Sequence, residues 1–188
     1  MNLNEDRLII SGPFYKKRSL HMKNIKKIIA VTLVGAMLLP LAGCAKKIEH
    51  IRAGEFKDAI EEVFDDDDYV SYGDMIAVMD DDYAIVFTQF DDEDDAEDAW
   101  EDMVDSFEDM MDDKDFDGRA RLVNRDTYGY ILLNGECDDR DFYTGRSYMY
   151  GGIYFVEDEA FAILTVEDDN DTRDDVNTIL RALGLPRP

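Results

Sequence analysis

The chain has 188 residues, of which 45 are Asp or Glu and 20 are Lys or Arg, so its formal net charge at pH 7 is -25. This charge excludes nucleic acid as a partner, because two polyanions repel each other at any separation within a Debye length. The length suffices for one domain with a substantial hydrophobic core, and the two cysteines are too few for a disulfide framework.

The first 43 residues have the layout of an export signal preceded by extra residues. A basic start is followed by an uncharged run over residues 28–43, which falls short of the ~20 residues that a membrane-spanning helix needs. The basic residues are Lys23, Lys26 and Lys27. The sequence therefore predicts a signal peptide over 22–43, and residues 1–21 are interpreted as a leader or a mis-assigned start.

The signal ends in Leu41-Ala42-Gly43-Cys44, which resembles the lipobox of bacterial lipoproteins of the Gram-positive type. The resemblance implies that Cys44 is lipidated and anchors the chain to the extracytoplasmic face of the cell membrane. Two acyl chains on one residue hold stably, since each buried methylene contributes ~0.8 kcal/mol. The alternative is an ordinary signal peptide followed by an incidental cysteine.

The rest of the chain is predicted to form a tether, 44–53, and an acidic domain, 54–188. Apolar residues at helical spacing predict a first helix over 55–64, and the acidic segment 65–74 is predicted to be a loop.

Paired apolar runs and two amphipathic segments make up the remainder of the domain. The strongest helical pattern covers 93–111, where an apolar stripe around Trp100 opposes a face of carboxylates, and a last helix covers 171–183. Three hairpins are predicted: 75–79 with 83–90, 119–124 with 128–134, and 148–156 with 160–166. The pair Gly151-Gly152 is interpreted as a β-bulge or a strand start.

These elements predict an α+β fold, with an antiparallel sheet of about four to six strands and two or three helices packed on one face. Two strand-strand-helix units also align at an offset of 76 positions, which places Met79 with Phe155 and Trp100 with Val176. An internal duplication would explain this offset, and so would chance similarity of two such units.

The stretch "DKDFDG" resembles the opening of the EF-hand calcium loop. Asp113, Asp115 and Asp117 would supply carboxylates to Ca²⁺, and the carbonyl of Arg119 would occupy the seventh position. The twelfth position is Asn124, where the EF-hand has a bidentate Glu. The alternative is an acidic connection between a helix and a strand, and no other cofactor is predicted.

Reactive side chains are scarce in the predicted domain, so we expect no enzyme. The two histidines, His21 and His50, lie before it, and Cys137 has acidic neighbours that disfavour a thiolate. A hydrolase that uses two carboxylates alone stays open as an alternative.

Overall, the pattern resembles small exported lipoproteins with one acidic domain. It predicts a monomeric, membrane-anchored, non-enzymatic binding or scaffold domain with an envelope protein or glycan as partner. A divalent-cation-responsive surface domain is the other alternative. Six tyrosines either line a contact surface or brace one face of the sheet, and bracing is the usual role of alternating strand tyrosines. They are Tyr128, Tyr130, Tyr143, Tyr148, Tyr150 and Tyr154.

Overall fold

The computed structural model describes residues 46–73, 75–138, 142 and 148–188, which belong to one compact unit, Lys46–Pro188. The predicted leader, signal peptide and lipidated Cys44 lie outside the described residues, as does Tyr143.

The described chain forms one antiparallel sheet of seven strands and three helices. The order across the sheet is β1-β2-β3-β7-β6-β5-β4. The strands are β1 (Val70–Tyr72), β2 (Met75–Met79), β3 (Tyr83–Gln89), β4 (Phe116–Arg125), β5 (Tyr128–Cys137), β6 (Tyr148–Val156) and β7 (Glu159–Thr165). The helices are α1 (Ala53–Ile60), α2 (Glu93–Asp113) and α3 (Asn170–Ala182).

The predicted α+β class with an antiparallel sheet is confirmed, but the expected four to six strands are too few. The additional strand is β1, whose three residues are all exposed and lie in the predicted acidic loop. Val70 pairs with Ala77 and Tyr72 with Met75, at the edge of the sheet. The sequence of this strand does not alternate apolar and polar residues, because the strand forms through backbone pairing with β2 and buries no side chain.

The prediction that the helices pack on one face of the sheet is wrong. Tyr154 in β6 donates a hydrogen bond from its hydroxyl to the carbonyl of Pro186, which follows α3, at 2.7 Å. Its neighbour Phe155 stacks on Trp100 of α2, with ring centroids 5.9 Å apart. Successive strand residues point to opposite faces, so α2 and α3 cover opposite faces of the sheet. Helix α1 shares the α3 face, since its Phe56 contacts Phe161, the strand partner of Tyr154.

Burial of both faces explains the composition of the two central strands. All seven residues of β7 and eight of the nine in β6 are buried. Strands of a sheet that is covered on one side alternate apolar and polar residues, whereas strands of a sheet that is covered on both sides are continuous apolar runs. The runs "GGIYFV" and "AFAILT" are of the second kind.

The two hairpins related by the offset of 76 have the same register. Val78 pairs with Ile85 in the first hairpin, and the residues 76 positions later, Tyr154 and Phe161, pair in the second. The helices that follow these hairpins pack on opposite faces, so the correspondence does not extend to them. A common origin of the two units stays a prediction.

The hairpins also meet each other symmetrically, through strands β3 and β7. Val86 pairs there with its own counterpart, Ala162. At the two ends of this pairing, Phe90 N–H donates to the carbonyl of Asp158 at 2.8 Å and Val166 N–H donates to that of Asp82 at 2.9 Å. These reciprocal bonds fix the turn that contains Asp158 to the end of β3.

Helix α2 begins and ends with distinct backbone signals. The carboxylate of Asp92 accepts a hydrogen bond from Asp95 N–H at 3.0 Å, which caps the N-terminus. Three acidic residues in the first turn suit the positive end of the helix dipole. At the other end Lys114 adopts the left-handed conformation, with φ 64° and ψ 32°.

Replacing Lys114 by glycine is expected to raise the free energy of unfolding by about 0.5–1 kcal/mol, because glycine has no Cβ to strain in this conformation. Urea denaturation measures the change. The control Lys114→Ala removes the same charge and keeps the Cβ, so it should give no comparable gain. Equal stabilisation by both variants would assign the effect to charge instead.

Candidate functional site

The residues of the predicted calcium loop occupy a helix end and a strand. Asp113 is the last residue of α2, while Asp117 and Arg119 lie in β4 and pair with Glu136 and Asn134 of β5. Between them, Asp115 N–H donates to the carbonyl of Met110 at 3.1 Å. These residues are not among the described side chains that gather three or more ligand atoms for a metal. A calcium site here stays a prediction.

Glu159, the first residue of β7, is the one acidic residue that is buried among those the structure describes, with 0% of its surface exposed. Its side chain lies on the α1 and α3 face of the sheet, because it shares the odd-numbered face of β7 with Phe161. The segment that leads into α1 covers it. In that segment Ile48 and Ile51 are buried, and Ile51 N–H donates to Oε2 of Glu159 at 3.2 Å.

A histidine and two further carboxylates surround this buried acid. Nδ1 of His50 lies 3.1 Å from Oε1 of Glu159 and 3.6 Å from Oε2 of Glu157. One ligand atom each from His50, Asp158 and Glu159 lie within 4.8 Å of one another. Although Nδ1 is close, Oε1 of Glu159 accepts no hydrogen bond from the described residues.

The surroundings of Glu159 raise its pKa to about 7, against an ordinary value of 4.5. Burial is the largest cause, because it disfavours the charged form, and the negative charges of Asp158 and Glu157 act in the same direction. The Ile51 N–H and the imidazole of His50 lower the pKa and offset part of the shift. The carboxylate is therefore costly to hold ionised.

A cleft of about 390 Å³ lies beside this cluster, between α1 and the end of α3. Four of its nine lining residues are acidic, and Glu159 is not among the nine. The lining residues are Glu49, His50, Ile51, Glu55, Asp58, Ala59, Glu62, Ala182 and Leu183. His50 and Ile51 therefore border both the cleft and the buried acid, whereas the acid itself does not reach the cleft.

The strand tyrosines brace the sheet against α3. Tyr154 and Tyr130 are almost fully buried, with 0% and 1% exposure. Tyr150 donates a hydrogen bond to Oδ1 of Asn177 at 3.1 Å, and the guanidinium of Arg173 lies 5.1 Å and 5.6 Å from the rings of Tyr148 and Tyr150. These four side chains serve packing rather than an open contact surface.

His50 is the site residue that the sequence did not reveal, because it falls in the segment predicted as a tether. Its neighbours Ile48 and Ile51 indicate that this segment packs against the domain, because isoleucine is among the residues that are most often buried and a solvated tether would expose both side chains. For Glu159 the signal is an acid at the head of a strand that is otherwise apolar.

Comparison of the chain with protein-family models, with curated proteins and with solved structures finds no match. Among the helices of the described residues, none combines the length and the hydropathy that crossing a membrane requires. The fold and the cluster around Glu159 are therefore interpreted from their own chemistry.

Proposed function

We propose that this chain is a lipid-anchored, extracytoplasmic protein whose acidic α+β domain binds or scaffolds a partner without catalysing a reaction. The observation that carries the proposal is the lipobox-like Leu41-Ala42-Gly43-Cys44 at the end of a signal-like segment. The compact unit begins at Lys46, two positions after Cys44. A lipid on Cys44 would then hold a folded domain at the membrane surface.

The position of Glu159 supports a binding domain over the hydrolase that uses carboxylates alone. Such a hydrolase needs one acid that is desolvated enough to stay protonated and a second carboxylate about 5 to 9 Å away across the substrate. The buried acid of this domain does not line the cleft of about 390 Å³ next to it. A sugar held in that cleft would face exposed carboxylates.

A monomer that contacts an envelope protein or a glycan is the simplest form of this proposal. The acidic exterior favours cationic partners and opposes anionic ones, because the charge is distributed over the whole domain. A response to divalent cations is the second candidate function, and the grouping of His50, Asp158 and Glu159 favours it.

The anchor is tested by replacing Cys44 with alanine in a bacterial host that processes lipoproteins. Labelling with radioactive palmitate is expected to mark the wild-type protein in the membrane fraction, whereas Cys44→Ala should carry no label, because it lacks the thiol that would be lipidated.

The matched control is Cys137→Ala, which removes the chain's only other cysteine and should keep the label. Label that persists in Cys44→Ala, or an unlabelled wild-type protein, would contradict the anchor.

A further inference from the structure

We infer that His50, Asp158 and Glu159 form a binding site for a divalent transition-metal ion of the zinc class. This inference names a ligand for the domain and holds with or without a lipid on Cys44. Its observations are the meeting of three ligand atoms within 4.8 Å and a buried carboxylate oxygen that no hydrogen bond satisfies.

The spacing of the ligand atoms suits a small ion. Zinc is bound at about 2.0–2.1 Å by histidine nitrogen and carboxylate oxygen, so two ligand atoms at the tetrahedral angle are about 3.3 Å apart. Nδ1 of His50 and Oε1 of Glu159 are 3.1 Å apart. Asp158 lies in the two-residue turn before β7 and is half-buried, and Oδ2 of its carboxylate accepts a hydrogen bond from Nε2 of Gln89 at 3.1 Å. Its ligand atom lies within 4.8 Å of those of His50 and Glu159, so its side chain would have to turn toward them to bond the same ion.

Oε1 of Glu159 is a buried acceptor without a donor, and a cation could bond to it. Oε2 of Glu159 already accepts from Ile51 N–H, which leaves Oε1 directed toward the imidazole with no donor of its own. Leaving such an acceptor buried is unfavourable, and an ion bonded to it removes the deficit. The nearby carboxylate of Glu157 adds a further negative charge and favours any cation at this position.

The donor set determines which cations are preferred. Calcium and magnesium select shells made of oxygen, whereas an imidazole nitrogen beside two carboxylates suits zinc and its neighbours in the transition series. Three protein ligands leave the fourth tetrahedral position to water or to a group from a partner. The site is thus distinct from the predicted calcium loop in both position and chemistry.

The ligands come from two distant parts of the chain, and this determines what binding would do. His50 precedes α1, while Asp158 and Glu159 follow β6, so a bound ion would fasten the N-terminal segment to the sheet. Because the unfolded chain does not hold these residues together, binding raises the stability of the folded state.

The test uses the full chain purified in detergent micelles and freed of metal with EDTA. Calorimetric titration with ZnCl2 in the presence of excess Mg²⁺ is expected to show one equivalent of bound zinc. A thermal melt of the zinc-loaded protein should show a melting temperature several degrees above that of the metal-free protein. Mg²⁺ in excess occupies the diffuse carboxylate surface. His50→Ala and Glu159→Gln should each weaken zinc binding at least about tenfold.

Glu62→Gln is the matched control, since it removes the same charge from an exposed acid of the neighbouring cleft and should bind zinc as the wild type does. His50 has a side chain that is 40% exposed, so its replacement by alanine should leave the fold intact. A wild-type chain that binds no stoichiometric zinc overturns the inference. Unchanged affinity in His50→Ala overturns it as well, while the palmitate experiment is unaffected by either result.

Discussion

Replacing Gly151 by alanine is expected to lower the free energy of unfolding by at least about 3 kcal/mol, or about 10 °C in melting temperature. Gly151 has φ +139°, a conformation that residues with a Cβ rarely adopt. A Cβ at this position would also lie 2.0 Å from the carbonyl oxygen of Ile163 in β7. This oxygen belongs to the backbone of a central strand, so the contact is relieved only by moving the sheet.

Gly54→Ala is the control for this substitution. Gly54 lies in the first turn of α1, and no atom is within 4 Å of the position of its added Cβ. Alanine should leave stability unchanged or raise it by up to about 1 kcal/mol, because alanine is the better helix former. Thermal melts followed by circular dichroism compare the two variants. A Gly151→Ala chain as stable as the wild type would show that β6 has a different path.

Glu159→Gln is expected to stabilise the metal-free protein at pH 8 by up to about 3 kcal/mol and to have little effect at pH 4.5. The folded pKa of Glu159 is about 7, above the ordinary 4.5. Below pH 4.5 the carboxyl is protonated in both the folded and the unfolded chain, so burial carries no charge penalty. Between about pH 4.5 and 7 the unfolded chain ionises while the folded protein keeps the buried carboxyl protonated, so the free energy of unfolding falls across this range and levels off above pH 7. Glutamine never ionises.

The measurement is urea denaturation in EDTA at several pH values between 4.5 and 8, with the wild type and the variant compared at each. The groups that face Glu159 are Ile51 N–H, His50, Asp158 and Glu157, and all of them remain in the variant. Glu62→Gln makes the same change of charge on the surface and should show no pH-dependent gain of this size. If the difference between Glu159→Gln and the wild type does not grow with pH, Glu159 is solvated in solution.

The local elements were largely readable from the sequence. The stripe around Trp100 predicted α2 to within two residues, and paired apolar runs predicted six of the strands, because helix and strand periodicities are properties of neighbouring residues. Strand β1 was missed for the converse reason. Its residues are held by backbone pairing to β2, and backbone pairing does not require particular side chains, so the sequence does not predict this strand.

The packing of the helices was predicted wrongly because periodicity shows that a stripe is buried but not what covers it. The aromatic stripe of α2 would suit either face of the sheet. Crossing to the far face lets Trp100 stack on Phe155 and donate from its indole nitrogen to Oδ1 of Asn124 at 2.9 Å. Gly129 makes room for this ring, since a Cβ there would lie 2.4 Å from it. Asn124, Gly129 and Phe155 all lie 24 or more positions after Trp100 in the chain.

The Gly151-Gly152 pair is a second case in which tertiary neighbours, and not the local sequence, determine which residue is required. A bulge or a strand start was expected, and both interpretations are wrong, because β6 pairs in continuous register with β5 and β7 across these residues. Gly151 is required by its φ and by the carbonyl of Ile163. Gly152 leaves room for the hydroxyl of Tyr154, which a Cβ would approach to 2.4 Å. Two different neighbours, neither visible locally, account for the two glycines.

By itself the sequence determined the acidic charge, the kinds and approximate bounds of the main helices and strands, and the lipobox-like pattern on which the proposed anchor rests. These are short-range properties, set by composition and by spacing over a few residues. Only the tertiary structure decided that both faces of the sheet are covered and that His50 meets Glu159, 109 positions further along the chain. The physical reason is that burial of Glu159 depends on a segment, 48–51, which has no regular structure of its own. Packing of Ile48 and Ile51 and the hydrogen bond from Ile51 N–H to Glu159 hold this segment on the sheet.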